Sequence, residues 1–317
     1  MNPRLFTDLF NAQMAKRKHL CVGLDSDHTK LPPSVLIGRS ITEAMLFFNK
    51  CIIDATIQWA AAYKINSAFY EDAGPEGMAV LIKTIAYIKV LYPDVVVILD
   101  FKRGDIGNTN IGYVRAAFEL AGADAVTVHN YMGMVAMKPF LDRVDKGIFV
   151  LCRTTGEGSG EFQDLRISLS HENLQTLLGA DTNVETESAI QGWGSSQPFH
   201  MNLYEYLALR VARFWNTNGN CGVVAGATSP RELLKIRTLV GPNMPILIPG
   251  VGAQGGDHAK STTAARACGS EAFLINDSRK LIFASNGEDF AEAAGARAES
   301  MHNTTLDAIE HPAETID

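Results

Sequence analysis

Val95-Val-Val-Ile-Leu-Asp100-Phe-Lys102-Arg-Gly-Asp105-Ile-Gly-Asn-Thr109 is the stretch on which the reading of this chain turns. Its apolar, largely β-branched opening predicts a short strand buried on both faces, as strands of a parallel sheet are. The strand then delivers charge. Asp100 and Lys102 stand two apart on an extended segment and so share a face, and Gly104 lets the chain turn toward Asp105. A lysine held between carboxylates stays protonated, because opposite charges favour its charged form. Lys102 therefore reads as a proton donor, not as a Schiff-base nucleophile. Taken alone, the cluster also reads as an ion pair plugging the end of a sheet.

Similar short apolar runs recur on either side of this one: His19–Leu24, Ala61–Lys64, Ala125–Val128, Gly147–Leu151, Gly222–Ala225, Ile246–Ile248 and Ala272–Ile275. Helix-length patterns separate them, among them Gly77–Leu91, Ile111–Ala121, Leu203–Asn216, Pro230–Leu239 and Ala259–Cys268. Such alternation predicts an α/β protein, a (β/α)8 TIM barrel, with a doubly wound open sheet as the competing arrangement. Residues 1–317 read as a single domain of that kind. One stretch breaks the rhythm: residues 168–202 are rich in Ser, Thr, Asn and Gly. They read as a loop insertion after the fifth strand, with a short helix near Glu172–Leu178, no convincing strand and little share in the core. Trp193 within it offers no readable chemistry, and the tail Glu310–Asp317 reads as frayed.

The composition excludes several classes of function. A net charge of −7 argues against a nucleic-acid or anionic-membrane partner, although a local basic pocket could still take a small anion. No apolar run approaches the ~18 residues a membrane span needs, and Met1–His19 is amphipathic without the apolar centre of a signal peptide. The five cysteines, Cys21, Cys51, Cys152, Cys221 and Cys268, form no CxxC pair. They read as buried reduced thiols in a cytoplasmic protein, with no metal site and no cofactor expected.

Catalytic groups of a TIM barrel project from the C-terminal strand ends. Read in order, those ends carry Asp25, Lys64, the Asp100–Lys102–Asp105 cluster, Asn130 beside His129, the Thr154–Thr155 pair, Ser229, the loop Pro249–Gly256 and Arg279. The loop Pro249-Gly-Val-Gly-Ala-Gln254-Gly255-Gly256 leads into a helix, and backbone N–H groups at such a junction bind anions. Arg279 follows the next strand. Barrels often hold phosphate between the loops after strands seven and eight, and the guanidinium fork suits phosphate. Thr154, Thr155 and His129 read equally well as ordinary structural residues.

Asp100-Phe-Lys-Arg-Gly-Asp-Ile-Gly-Asn-Thr109 resembles the DxKxxD signature of the orotidine 5'-phosphate decarboxylases, including its Ile-Gly-Asn-Thr extension. Leu24-Asp25, Lys64, Leu151-Cys-Arg-Thr-Thr155, Gly226-Ala-Thr-Ser-Pro230 and Pro249-Gly-Val-Gly-Ala-Gln254 match in order and spacing, over about residues 5 to 300. The resemblance is to the longer bacterial-type branch. It implies a cofactor-free enzyme that converts orotidine 5'-phosphate to UMP and CO2. It further implies a homodimer with shared active sites. Lys64, Asp100 and Lys102 would form a charge network with Asp105 of the neighbouring subunit, and Lys102 would protonate C6 of the pyrimidine. Asp25 would hold the ribose, helped by Thr109 from the partner. Thr154 or Thr155 would face the base, Gln254 would span base and phosphate, Pro249 and Gly255 would belong to the phosphate loop, and Arg279 would bind phosphate. Asn66 stands where some relatives carry histidine. A magnesium-dependent keto-sugar phosphate decarboxylase of the same superfamily shares the Asp-x-Lys-x-x-Asp pattern, and a non-catalytic sugar-phosphate-binding barrel is a third reading.

Overall fold

The short apolar runs hydrogen-bond into one closed, all-parallel sheet. A computed structural model describes residues 4–178, 199–252 and 254–316. In chain order the strands are β1 (Leu20–Gly23), β2 (Ala60–Asn66), β3 (Val96–Arg103), β4 (Ala125–Val128), β5 (Gly147–Arg153), β6 (Arg166–Leu169), β7 (Phe199–Asn202), β8 (Cys221–Ala225), β9 (Ile246–Pro249) and β10 (Phe273–Asp277). The barrel runs β1-β2-β3-β4-β5-β8-β9-β10 and closes where Leu20 pairs with Ile275. The open-sheet alternative is thereby excluded, and the expected (β/α)8 TIM barrel is what forms.

Alternation along each strand divides the core in two. Val96 and Ile98 point into the barrel with Cys21, Ala62, Ala125, Phe149, Val224, Leu247 and Leu274. Val97, Leu99 and Phe101 point outward into the layer between sheet and helices. Small side chains at Cys21, Ala62 and Ala125 leave room in the lumen, which the helix Phe6–Ala15 fills from below with Phe6, Phe10 and Met14. Phe6 meets Phe149 edge-on with ring centroids 5.8 Å apart. A Cβ on Gly147 would lie 2.7 Å from the Phe6 ring, so only glycine fits there. The amphipathic N-terminus is thus the floor of the barrel. Outside, each strand of the barrel leads to a helix packed on its outer face. The helix after β1, Ile41–Thr56, starts at a capping box in which the Ser40 hydroxyl accepts from the Glu43 N–H while the Glu43 carboxylate accepts from the Ser40 N–H.

Residues 168–202 differ from expectation. β6 and β7 pair antiparallel, with Ile167 opposite Met201 and Leu169 opposite Phe199. The segments Arg-Ile-Ser-Leu and Phe-His-Met-Asn are half polar, so they read as loop. They hold as a ribbon because Phe199 and Met201 are buried against the main core, as are Leu174 and Leu177 of the helix His171–Leu178. Residues 179–198, Trp193 among them, lie outside the described residues. The tail is also less loose than expected: the Ala313 N–H donates to Thr263 Oγ1, and Ile316 packs on the core. Cys21, Cys152 and Cys221 are buried as expected, but Cys51 is half-buried and Cys268 exposed. Among the described residues no helix is long and apolar enough to cross a membrane.

Candidate active site

The alternation that sends Val96 and Ile98 into the lumen brings Asp100 inward at the open end of the barrel, where packing stops and charge begins. Asp100 Oδ2 accepts from Lys64 Nζ at 2.9 Å, and its Oδ1 accepts from Lys102 Nζ at 2.6 Å. Lys64 also reaches Asp25 Oδ1 at 3.5 Å. Burial alone would push the Asp100 carboxyl up, but Lys64 and Lys102 outweigh it and hold the group well below the usual carboxylate range. Burial likewise opposes charge on Lys64, and Asp100 and Asp25 reverse that, raising its pKa above the ordinary lysine value. Beneath this network burial pushes the Cys21 thiol up to about 12, so it is not a nucleophile.

Lys102 is not on an extended segment. Its φ is +46°, in the left-handed region, and the β3–β4 register shifts between Leu99 and Arg103. Such a conformation costs on the order of 1–3 kcal/mol for a residue with a Cβ. Thr127 on β4 holds it in place: its hydroxyl donates to Asp100 Oδ1 at 2.7 Å and accepts the Lys102 N–H at 3.2 Å. The Lys102 side chain consequently stands half-exposed at 48%, aimed at the cavity, while Lys64 is buried beneath it. Sequence reading missed Thr127. Its signal was a lone hydroxyl at an inward position of an otherwise apolar strand.

A cavity of about 240 Å³ opens above this network. Asp25, Lys64, Asn66, Asp100, Lys102, Thr154, Thr155, Pro249, Gln254 and Arg279 all line it, so the structure gathers most of the residues expected at the site. The Thr154 N–H donates to Gln163 Oε1 at 2.8 Å, and the Gln163 amide donates to Thr154 Oγ1 at 3.1 Å. The Thr155 methyl is wedged between Gly226 and Gly250, where added Cβ atoms would meet it at 2.4 and 2.7 Å. Gly250 has φ +103°, which lets the loop after β9 turn over the cavity. The first residues of the helix after that loop, His258 and Ala259, do not line the cavity. Asp257 caps that helix, its carboxylate accepting the Lys260 N–H at 2.9 Å. The loop itself, through Gly250, Gly252 and Gln254, lines the cavity, and so does Arg279.

Other expected residues lie elsewhere. Asp105 and Thr109 do not line the cavity. Asp105 Oδ1 accepts only the N–H of Ile106, at 2.6 Å, and its backbone is tied to the buried side chain of Asn110. Gly255 is outside the lining, its N–H bonded to the Gly252 carbonyl. Asn130 donates to the Leu151 carbonyl, Ser229 stands at the start of the helix Pro230–Val240, and His129 packs against Gly104, where a Cβ would lie 2.7 Å from the His129 carbonyl. Gly104 thus serves close approach. Asp277 and Arg297, which the sequence did not single out, join at the edge of the cavity. Among the described residues no group of three or more His, Cys, Asp and Glu converges as a metal site.

Known proteins share both the sequence pattern and the fold of this chain. Residues 18–294 match the profile of the orotidine 5'-phosphate decarboxylase / HUMPS family. An orotidine 5'-phosphate decarboxylase of Janthinobacterium is 39% identical, over 88% of this chain and 90% of its own length. Among solved structures, the Leishmania donovani OMP decarboxylase superposes with a TM-score of 0.70 at 34% identity, covering 95% of this chain and 99% of that one. The Leishmania donovani UMP synthase gives a TM-score of 0.71 at 36% identity. It covers 94% of this chain, which spans 56% of the synthase.

Proposed function

Because the chain belongs to the orotidine 5'-phosphate decarboxylase / HUMPS family, we propose that it decarboxylates orotidine 5'-phosphate to UMP and CO2 in pyrimidine biosynthesis, in the cytoplasm, as one barrel unit carrying residues 168–202 as an insertion. The observation that carries this reading is the Lys64–Asp100–Lys102 network on the cavity floor, in a cavity also lined by a glycine loop and Arg279.

The substrate carboxylate, seated beside Asp100, meets a like charge that disfavours the bound ground state. As the C6–carboxyl bond breaks, its electron pair stays on C6, and Lys102 stabilises that developing charge and then gives up a proton to it. Neutral Lys102 is reprotonated from solvent after product leaves. Only interactions that strengthen toward the transition state raise the rate, and the fixed left-handed turn at Lys102 spends folding energy to keep its ammonium aimed at the cavity. Asp25 holds the ribose, Gln254 spans base and phosphate, the Pro249–Gly256 loop and Arg279 hold the phosphate, and Thr155 faces the pyrimidine edge, since Thr154 is engaged by Gln163.

Asp105 and Thr109 act in the pocket of a second copy. Supporting this, the segment that bears them is rimmed by exposed apolar side chains, among them Ile106, Ile111, Tyr131 at 89% and Val135 at 82% exposure. A patch of that kind on a soluble protein marks an association surface, and a two-fold interface would exchange the two acids reciprocally. The test is the loss of orotidine 5'-phosphate absorbance on adding purified protein, with and without EDTA. Equal turnover in both is expected. No turnover, or turnover only with added magnesium, would contradict the proposal.

A further inference from the structure

Asp277 presents a puzzle for a phosphate site. It is the last residue of β10, 2% exposed, and it lines the same cavity as Gly252 and Arg279. A buried carboxylate at that place should repel a phosphate. Two features of its surroundings answer the difficulty. Asp277 Oδ2 accepts two hydrogen bonds from Arg297, from Nε at 2.9 Å and from Nη2 at 2.7 Å, across from the long helix Phe290–Glu310. Its other oxygen lies against the phosphate loop, where a Cβ on Gly252 would come within 2.0 Å of Oδ1. One oxygen is therefore neutralised and the other is used as a spacer under the loop.

We infer that Asp277 and Arg297 are a positioning pair for phosphate recognition, in which Arg297 cancels the Asp277 charge so that the carboxylate can set the height of the Gly250–Gly252 turn without opposing the ligand. The inference rests on the phosphate-site reading given above. Arg297 touches no substrate in this account; it acts through Asp277. Removing its charge leaves a bare carboxylate buried at the edge of an anion site. An unpaired buried charge of this kind is far more harmful than loss of the whole pair.

The pair can be tested by kcat/KM for orotidine 5'-phosphate beside that for orotidine, which lacks the phosphate. Arg297→Met should lower the value for the phosphorylated substrate by about ten- to a hundredfold, the usual scale of coupling between neighbouring sites, mostly through KM, with a much smaller change for orotidine. Adding Asp277→Asn to Arg297→Met should recover most of that loss, because the uncompensated charge is gone. Arg297→Lys should keep the phosphate preference, and it covers the case in which Arg297→Met does not fold. A purely structural role predicts otherwise: both substrates would fall together, and the double variant would be no better than Arg297→Met. Either result, or a loss of phosphate preference in Arg297→Lys as large as in Arg297→Met, would overturn the inference. Arg279→Ala serves as control. If it leaves the preference for phosphate untouched, the phosphate site itself is elsewhere and the failure belongs to that reading.

Discussion

Asp100 and Asp105 belong to one continuous segment, and the barrel treats them in opposite ways. Asp100 lies within the buried run of β3 with both oxygens engaged, by Lys64 on one side and by Lys102 and Thr127 on the other. Asp105 lies past the strand end, half-buried, accepting only the N–H of the residue after it and held away from the cavity by Asn110. The difference follows from what each has for neighbours. Inside the barrel, adjacent parallel strands bring charges together at fixed spacing, so a network can be completed within one chain. On the loop, among the described residues, the Asp105 carboxylate accepts only the Ile106 N–H, and Ile106 itself is an exposed apolar side chain. The first region is a finished device. The second, among the described residues, is not part of any such network.

The largest effect that would break this comparison is at Lys102. Lys102→Ala should lower kcat on orotidine 5'-phosphate by on the order of a thousandfold or more, since general acid catalysis and a charge of the network vanish together, while circular dichroism stays that of the folded barrel. Turnover within tenfold of the unaltered protein would remove Lys102 from the chemistry.

Asp100→Ala should be felt in stability as well as activity. It strips the main partner from buried Lys64, and breaking a buried pair costs about 3–5 kcal/mol, measurable by urea unfolding. The pH dependence has a definite sign. The Asp100 carboxyl is lower in the folded state than in the unfolded chain, so its contribution is present above about pH 4 and is lost as pH falls through the lower folded value. A loss below 1 kcal/mol on replacing Asp100 would mean that Asp25 alone satisfies Lys64. By contrast, Asp105→Ala should leave unfolding unchanged, because its carboxylate holds nothing but a neighbouring N–H.

A smaller effect is expected from replacing residues 168–202 with a short glycine-serine bridge. The barrel should survive, because loop length costs stability only slowly. Its stability should nevertheless fall, since Leu174, Leu177, Phe199 and Met201 lose their buried places, while the ordering entropy of the removed residues offsets part of that loss. An unchanged Tm would show that the ribbon merely rests on the surface.

How much of this could be read in advance differs between the same regions. The barrel was legible because each strand is a short apolar run of its own, and the Lys64–Asp100–Lys102 cluster because charge following such a run gathers at the strand ends. The kink at Lys102 was not, since a bulge is decided by the β3–β4 register and by Thr127, residues far apart in sequence. The ribbon was hidden because Arg166–Leu169 and Phe199–Asn202 are each half polar and become strands only through their pairing. The capping of the helix after the glycine loop by Asp257 was visible in principle, as an acid standing one residue before His258. The Asp277–Arg297 pair spans strand and terminal helix, and no local pattern announces it.

The shared site is the claim on which the account stands. Lys102→Ala and Asp105→Ala proteins, each expected to be inactive alone, are mixed under conditions that let subunits exchange. Random pairing makes about half of the dimers mixed, and in each of these one pocket carries both defects and the other carries neither. Activity should return to about a quarter of the unaltered level per total site. No recovery, with exchange proven by differently tagged subunits, would mean that Asp105 serves its own chain and would contradict the account.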